Sequence, residues 1–227
     1  MTFLLLSAAA LAAYYYLRCP RTPGGGAGAS AAARARQLRT PSVRIAEALN
    51  IPTQRGQEAG RYAVAAEAEK RTAARINPLR REGWVVLHDL ALPSGRANVD
   101  HLAISPSGVV IVLDTKRWSA RYPAPVRARG GRLLHGDRDV TDRLRGLRHE
   151  TSTVSRILGV QAIPLVVMDG ARIEGGELTY DGIRIIPAER APAVLRSIGS
   201  TRTSRDAQAL AALATSHFPP YTRKHNR

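Results

Sequence analysis

Hydrophobic and polar positions along the chain follow two periods, and where each one holds predicts the elements. From about Gln57 to Leu79, the residues Tyr62, Ala65, Ala66, Glu69, Ala73, Ile76 and Leu79 recur at helical spacing, which predicts a long helix with Glu69 on or beside its apolar stripe. The run GWVVLHDLAL, Gly83 to Leu92, reads as a strand closed by a turn at Pro93 to Gly95. Residues 98–118, NVDHLAISPSGVVIVLDTKRW, read as a β-hairpin. Its loop of Pro106, Ser107 and Gly108 fits a three-residue connection, a type I turn completed by a glycine of positive φ. Beyond Trp118 the pattern loosens, and prolines confine that stretch to short edge strands. A helix from Thr141 to Leu158, a strand from Ile163 to Asp169, a strand over 182–187, and helices over 188–198 and 204–218 follow. A short helix from Ser42 to Asn50, stopped by Pro52, precedes the long one. This order predicts an α/β fold, a mixed central β-sheet flanked by helices, and no internal repeat is visible that would make a solenoid.

The ends change the picture. Phe3 to Leu17 is uncharged and apolar, yet as a helix it spans only about 23 Å against a hydrocarbon core of about 30 Å. No Lys or Arg precedes it, whereas Arg18, Arg21, Arg34, Arg36 and Arg39 follow, so the positive-inside rule keeps the rest of the chain in the cytoplasm. Residues 1–18 are therefore expected to be an N-terminal hydrophobic anchor helix holding the protein at the inner face of the cell membrane, the alternative being a cytoplasmic protein. Residues 19–56 read as a flexible Gly/Ala/Arg linker with the one short helix, 57–198 as the globular domain, and 199–227 as a C-terminal helix with a basic tail.

A length of 227 residues with 44% hydrophobic content supports one good core. The net charge of +16 favours a polyanionic partner, nucleic acid or anionic lipid, without choosing between them. The single cysteine, Cys19, excludes an intramolecular disulfide, and no Cys and His spacing suits structural zinc.

The candidate chemistry lies in the hairpin. Side chains alternate along a strand, so Asp114 and Lys116 share a face with Val110 and Val112, and Asp100 shares one with Leu102 and Ile104. The three-residue loop pairs Ser105 with Val109 and, counting outward, Asp100 with Asp114. Two ionised carboxylates about 4 Å apart cost roughly 4 kcal/mol at an effective dielectric near 20, so a compensating cation is expected. Lys116 supplies one charge, and a divalent ion held by one or two carboxylates, water and a substrate phosphate supplies the rest. Glu69 adds a third carboxylate if its helix packs across the same face. Lysine occurs only three times, as Lys70, Lys116 and Lys224, so its use at 116 in a chain that otherwise chooses arginine is notable. His101 points to the other face of its strand and is expected to be a packed or hydrogen-bonded histidine. Trp118 is expected to be buried against the sheet. Arg117, Arg143, Arg145 and Arg148 are candidate contacts for nucleic-acid phosphates.

At these residues the chain resembles the NERD domain, the nuclease-related domain of the PD-(D/E)XK nuclease-like superfamily. The resemblance rests on DH at Asp100 and His101, PSGV in the turn, DTKRW from Asp114 to Trp118, and AEKRT from Ala68 to Thr72, which matches a G-E-R type element with Ala68 in place of its glycine. Ala120 likewise stands where the family has glycine after the tryptophan. The resemblance implies a restriction-endonuclease-like fold and hydrolysis of nucleic-acid phosphodiester bonds, with DNA the expected substrate. It implies Asp100, Asp114 and Glu69 as ligands of Mg2+ or Mn2+, and Lys116 orienting the attacking water or stabilising charge on the phosphate. The alternative expectation is a catalytically silent nucleic-acid-binding module tethered to the membrane.

Overall fold

The computed structural model describes residues 26–93, 97–119, 124–201 and 206–221. Three helices come first, α1 (Ala29–Leu38), α2 (Pro41–Ala48) and α3 (Gln54–Ile76), the last capped by the Thr53 hydroxyl accepting from the Gly56 N–H at 3.0 Å. A 3-10 turn (Asn77–Glu82) leads into β1 (Val85–Ala91), β2 (Asn98–Ile104) and β3 (Val110–Lys116). Short strands β4 (Val126–Arg129), β5 (Arg132–His135) and β6 (Arg138–Asp139) precede a 3-10 turn and α4 (Arg145–Leu158). The chain ends in β7 (Ile163–Met168), β8 (Leu178–Tyr180), β9 (Ile183–Pro187), α5 (Ala191–Gly199) and α6 (Ala207–His217).

The central sheet has six strands in the order β1-β2-β3-β7-β9-β8. β2 runs antiparallel to its neighbours β1 and β3, β3, β7 and β9 are parallel, and β8 closes the far edge antiparallel to β9, so the sheet is mixed, with helices on both faces. Alternation divides the core into two layers. Leu102, Ile104, Val110, Val112, Val166 and Ile185 meet Leu147, Val154 and Leu158 of α4 and Leu210 and Phe218 at the C-terminal end. Ala103, Ile111, Leu113, Leu165, Val167 and Ile186 meet Ile76, Leu79, and Val194 and Leu195 of α5 on the other side. Apolar runs such as Val110 to Leu113 are buried on both faces because parallel neighbours bring helices to each. The strands β4, β5 and β6 form a separate three-stranded sheet, whose Val126 and Leu133 join the α4 layer.

The hairpin turn forms as its sequence dictates. The Ser105 N–H donates to Val109 O, the Gly108 N–H donates to Ser105 O, and Gly108 takes φ 83°. Two expected boundaries need correction. Much of the stretch read as linker is helical: α1 runs through its Ala-rich part, and Gly28 lies so close to α3 that a Cβ there would sit 2.5 Å from Ala66 O. Alanine is the strongest helix former, and the glycines that precede it obscured that propensity. A boundary at 57 also falls inside α3, and α6 buries Leu210, Ala211 and Ala214 in the main core, so neither end of the described chain is an appendage. The strand β8 was not read from the sequence, being three residues long. The expected anchor, residues 1–18, and the basic tail from residue 222 lie outside the described residues. Among the described residues no helix is long and apolar enough to cross a membrane.

Candidate active site

The last ladder pair of β2 and β3 is His101 opposite Leu113, so the next step outward brings Asp100 opposite Asp114. Asp100 Oδ2 accepts from the Thr115 N–H at 3.0 Å, which ties the start of β2 to the end of β3. Asp100, Asp114 and Lys116 share the face that carries Leu102, Ile104, Val110 and Val112. Lys116 Nζ lies 2.6 Å from Asp114 Oδ2, a close ion pair.

Glu69 arrives from the opposite layer. Its helix α3 packs on the face of Leu113 and Thr115, where the Thr115 hydroxyl donates to Thr72 Oγ1 at 3.1 Å, so the condition set for Glu69, a helix crossing the Asp114 face, is not the packing of α3. The Glu69 carboxyl nonetheless comes within electrostatic reach of the other acids around the end of the strands. Burial, then Asp100, Asp89 and Asp114, push Glu69 up to about 10, and the Gly28 backbone N–H donates to it and opposes the shift. Burial, then the Asp114 charge, push Asp100 up to about 8 against the pull of Lys116 and the Thr115 N–H. For Lys116, burial favours the neutral amine, but Asp114, then Asp100 and Glu150, outweigh it and the net direction is up. Lys116 is therefore a fixed cation at neutral pH.

Two acids belong to this cluster that the sequence reading did not select. Asp89 lies on β1 with φ 51°, where the ladder passes from His88 opposite His101 to Leu90 opposite Val99 and skips it. Its carboxylate accepts from the Ser30 N–H at 2.6 Å and from Asn98 Nδ2 at 3.0 Å, while burial pushes its pKa up. Asp89, Asp100 and Asp114 thus come from three successive strands at one level of the sheet. Glu150, from α4, is raised to about 9 by burial, then by Asp114 and Asp100. Both were findable. Asp89 is an acid inside an apolar strand, the signal that singled out Asp114, and Glu150 falls three residues after Leu147 and four before Val154 on the buried stripe of α4.

Behind the acids lies a buried polar chain. His101 is fully buried, with Nδ1 2.8 Å from His88 Nδ1 and Nε2 3.2 Å from Thr115 Oγ1, and His88 Nε2 is 2.9 Å from Asn77 Oδ1. Burial, with Arg80 near His88 and His88 near His101, lowers both imidazoles, His88 to about 4, so both are neutral. Trp118 is buried and stacks on His135, with ring centroids 5.6 Å apart.

The candidate arginines do not assemble into one surface. Arg117 donates to Asp169 O at 2.9 Å and lies near its carboxylate, which also accepts from Arg71. Arg148 pairs with Asp181 and Arg145 with Asp142, while Arg143 is exposed on the turn before α4. Asp169 follows the C-terminal end of β7 and Asp181 precedes the start of the parallel strand β9, so Arg117 and Arg148 sit at opposite ends of the sheet.

The donors suit a hard divalent ion: all are carboxylates, and Glu69 Oε2 is buried without a hydrogen bond. Among the described residues no group of three or more Asp, Glu, His or Cys side chains is placed to hold a metal ion. Mg2+ is commonly held by one or two carboxylates with waters and phosphate oxygens, so a full protein cage is not required.

The fold and site define an α/β domain whose central strands end in a buried cluster of carboxylates around one lysine. Residues 65–168 match the family model of NERD, the nuclease-related domain, a family of the general PD-(D/E)XK kind. The matched span includes Glu69, Asp89, Asp100, Asp114, Lys116 and Glu150. No curated protein and no solved structure gives a match.

Proposed function

We propose that the protein is a metal-dependent nuclease, hydrolysing phosphodiester bonds of nucleic acid with DNA as the expected substrate, on a restriction-endonuclease-like scaffold. The observation that carries this reading is the Lys116 ammonium 2.6 Å from Asp114 at the end of β3, with Asp100 tied to the neighbouring Thr115 N–H and Glu69 within electrostatic reach of both acids. Asp100, Asp114 and Glu69 would hold Mg2+ or Mn2+, whose chemistry when bound is to acidify a coordinated water and to offset charge growing on the phosphate. Lys116, held protonated by its acidic neighbours, is suited to stabilise that phosphate charge and to orient the water, and it is not a general base. Asp114 fixes the ammonium, and the Thr115 N–H fixes Asp100. The test is cleavage of single- and double-stranded DNA and RNA with Mg2+ or Mn2+, comparing the wild type with Asp114→Ala. Loss of cutting in the variant supports the reading, and a wild type inert on every substrate with both metals overturns it.

A second reading, a nucleic-acid-binding module without catalysis, is favoured by one feature. The Gly28 and Ser30 backbone N–H groups already satisfy part of the acid charge on Glu69 and Asp89. It predicts salt-dependent binding that chelator leaves unchanged and no cleavage products. Tethering to the inner membrane face through residues 1–18 extends either reading and is supported by the apolar run and the arginines after it. Deleting residues 1–18 should then release the protein from membranes.

A further inference from the structure

The arginines read from the sequence as phosphate contacts are spread over the molecule and largely paired, yet a different group is gathered on one short hairpin. β4 and β5 are joined by Gly130 and Gly131, at φ 56° and 70°, a two-residue turn of the kind that needs positive φ at both positions. Arg129 and Arg132 flank the turn directly opposite each other, and Arg127, two residues back along β4, shares their face. The other face of the hairpin carries Val126 and Leu133, buried in the main core, so the arginine face is the outer one.

This arrangement opposes the hairpin's own stability. Like charges at opposed cross-strand positions are destabilising, and the local compensation is thin. Arg127 reaches Asp137 at 3.5 Å, where Asp137 is fully exposed, and Arg132 reaches Asp139 only at 3.7 Å. Arg129 makes no ion pair within 4.0 Å among the described residues. The hairpin is also held in place. The Tyr180 hydroxyl donates to Gly131 O at 2.7 Å at the tip, and Trp118, two residues after Lys116, stacks on His135 at the base. Two exposed guanidinium groups, Arg129 and Arg132, are thus presented on a fixed ribbon, with the half-buried Arg127 roughly 7 Å behind Arg129 along the strand.

We propose that the outer face of the β4–β5 hairpin binds the phosphate backbone of double-stranded nucleic acid, with Arg127, Arg129 and Arg132 as the contacts. The proposal rests on the nucleic-acid reading above and names the surface that holds the polymer. A duplex carries one charge per about 1.7 Å of axis, so a rigid row of guanidinium groups meets several phosphates without sequence preference. Binding relieves the repulsion that Arg129 and Arg132 exert on each other in the free protein.

The experiment measures binding of the full chain to a fluorescent DNA duplex by anisotropy, with chelator present so that no cutting intervenes, across a salt series. The Arg129→Ala/Arg132→Ala variant should lose about one unit of salt slope per arginine, about two in all. Its thermal midpoint should stay level or rise, because a like-charge pair is gone. Arg196→Ala, on α5, where Arg196 pairs with Glu82 at 2.7 Å and lies outside both the hairpin and the acid cluster, should leave the slope unchanged. If the wild type binds and the double variant binds with the same slope, the hairpin proposal fails while the nucleic-acid reading stands. If the wild type does not bind, the parent reading fails. If the double variant keeps its DNA slope but loses binding to vesicles containing phosphatidylserine, the hairpin faces lipid and the proposal is overturned.

Discussion

The Lys116 ammonium lies 2.6 Å from Asp114 Oδ2, two residues along the same face of one strand, and the Asp114 carboxylate holds the ammonium in its charged form beside a second acid, Asp100. In the proposed reaction Lys116 acts through its positive charge, so Lys116→Met should lower Mg2+-dependent cleavage about 10²-fold or more, the scale of one lost preorganised donor. Lys116→Arg keeps the charge and should retain part of the activity. Equal loss in both variants, at unchanged thermal midpoint, would show that the ammonium geometry matters and not the charge alone.

A raised carboxyl pKa makes the metal-free protein lose stability with rising pH. Glu69 titrates near its ordinary value when unfolded and at about 10 when folded, so between those values the folded state binds one proton more, and folding weakens across that window. Asp100 does the same up to about 8 and Glu150 up to about 9. Between pH 7 and 9, where the histidines do not contribute, denaturant unfolding with chelator should show falling stability. Glu69→Gln should flatten that fall and be the more stable protein at pH 9 by on the order of 1 kcal/mol. A wild-type stability that is level or rising over this range would remove the acid cluster as its cause.

The hairpin was legible because its period, its Pro-Ser-Gly turn and its embedded acids all point one way, and the strands β7 and β9 were legible as apolar runs. What was not legible was set by distance in sequence. Asp89 joins the cluster through Ser30, 59 residues away, and no local pattern announces a backbone N–H donated from another helix. The placement of Glu69 was half right: its position on the buried stripe of α3 was readable, the layer in which α3 packs was not. The pairings of Arg117 with Asp169 and of Arg148 with Asp181 were not legible for a related reason, being fixed by the fold, whereas Arg145 with Asp142 is a local i,i+3 pair.

The docking of α1 depends on Gly28. Its φ of 75° is a left-handed conformation, and a Cβ there would lie 2.5 Å from Ala66 O and 2.9 Å from Ala66 Cα, backbone atoms that cannot give way. Gly28→Val should therefore push α1 off α3 and remove the N–H donors from Glu69 and Asp89. A stability loss of about 1–3 kcal/mol is expected in chemical denaturation, together with faster amide exchange over 29–38. Unchanged exchange in α1 would mean that Gly28 does not seat the helix.

His101 links the acid cluster to the interior, because Thr115 faces it through the hydroxyl and faces Asp100 through the N–H. With burial holding His88 at about 4 and His101 well below its ordinary range, both imidazoles stay neutral when folded, whereas an unfolded histidine protonates near pH 6.5. Between those values the unfolded state binds the extra protons, so these two residues make the protein lose stability as pH falls from about 6.5 toward 4. Nitrogen NMR of the two rings should show neutral tautomers throughout pH 5 to 8. His101→Phe fills the space and leaves the Thr115 hydroxyl its bond to Thr72, but strands the half-buried His88 Nδ1, at about 1–3 kcal/mol. The same variant should slow cleavage more than it weakens duplex binding, since Asp100 is held through Thr115 while the polymer is held elsewhere. An NMR titration midpoint for His101 above pH 6, or a variant that cuts at the wild-type rate, would show that the buried chain does not position the acids.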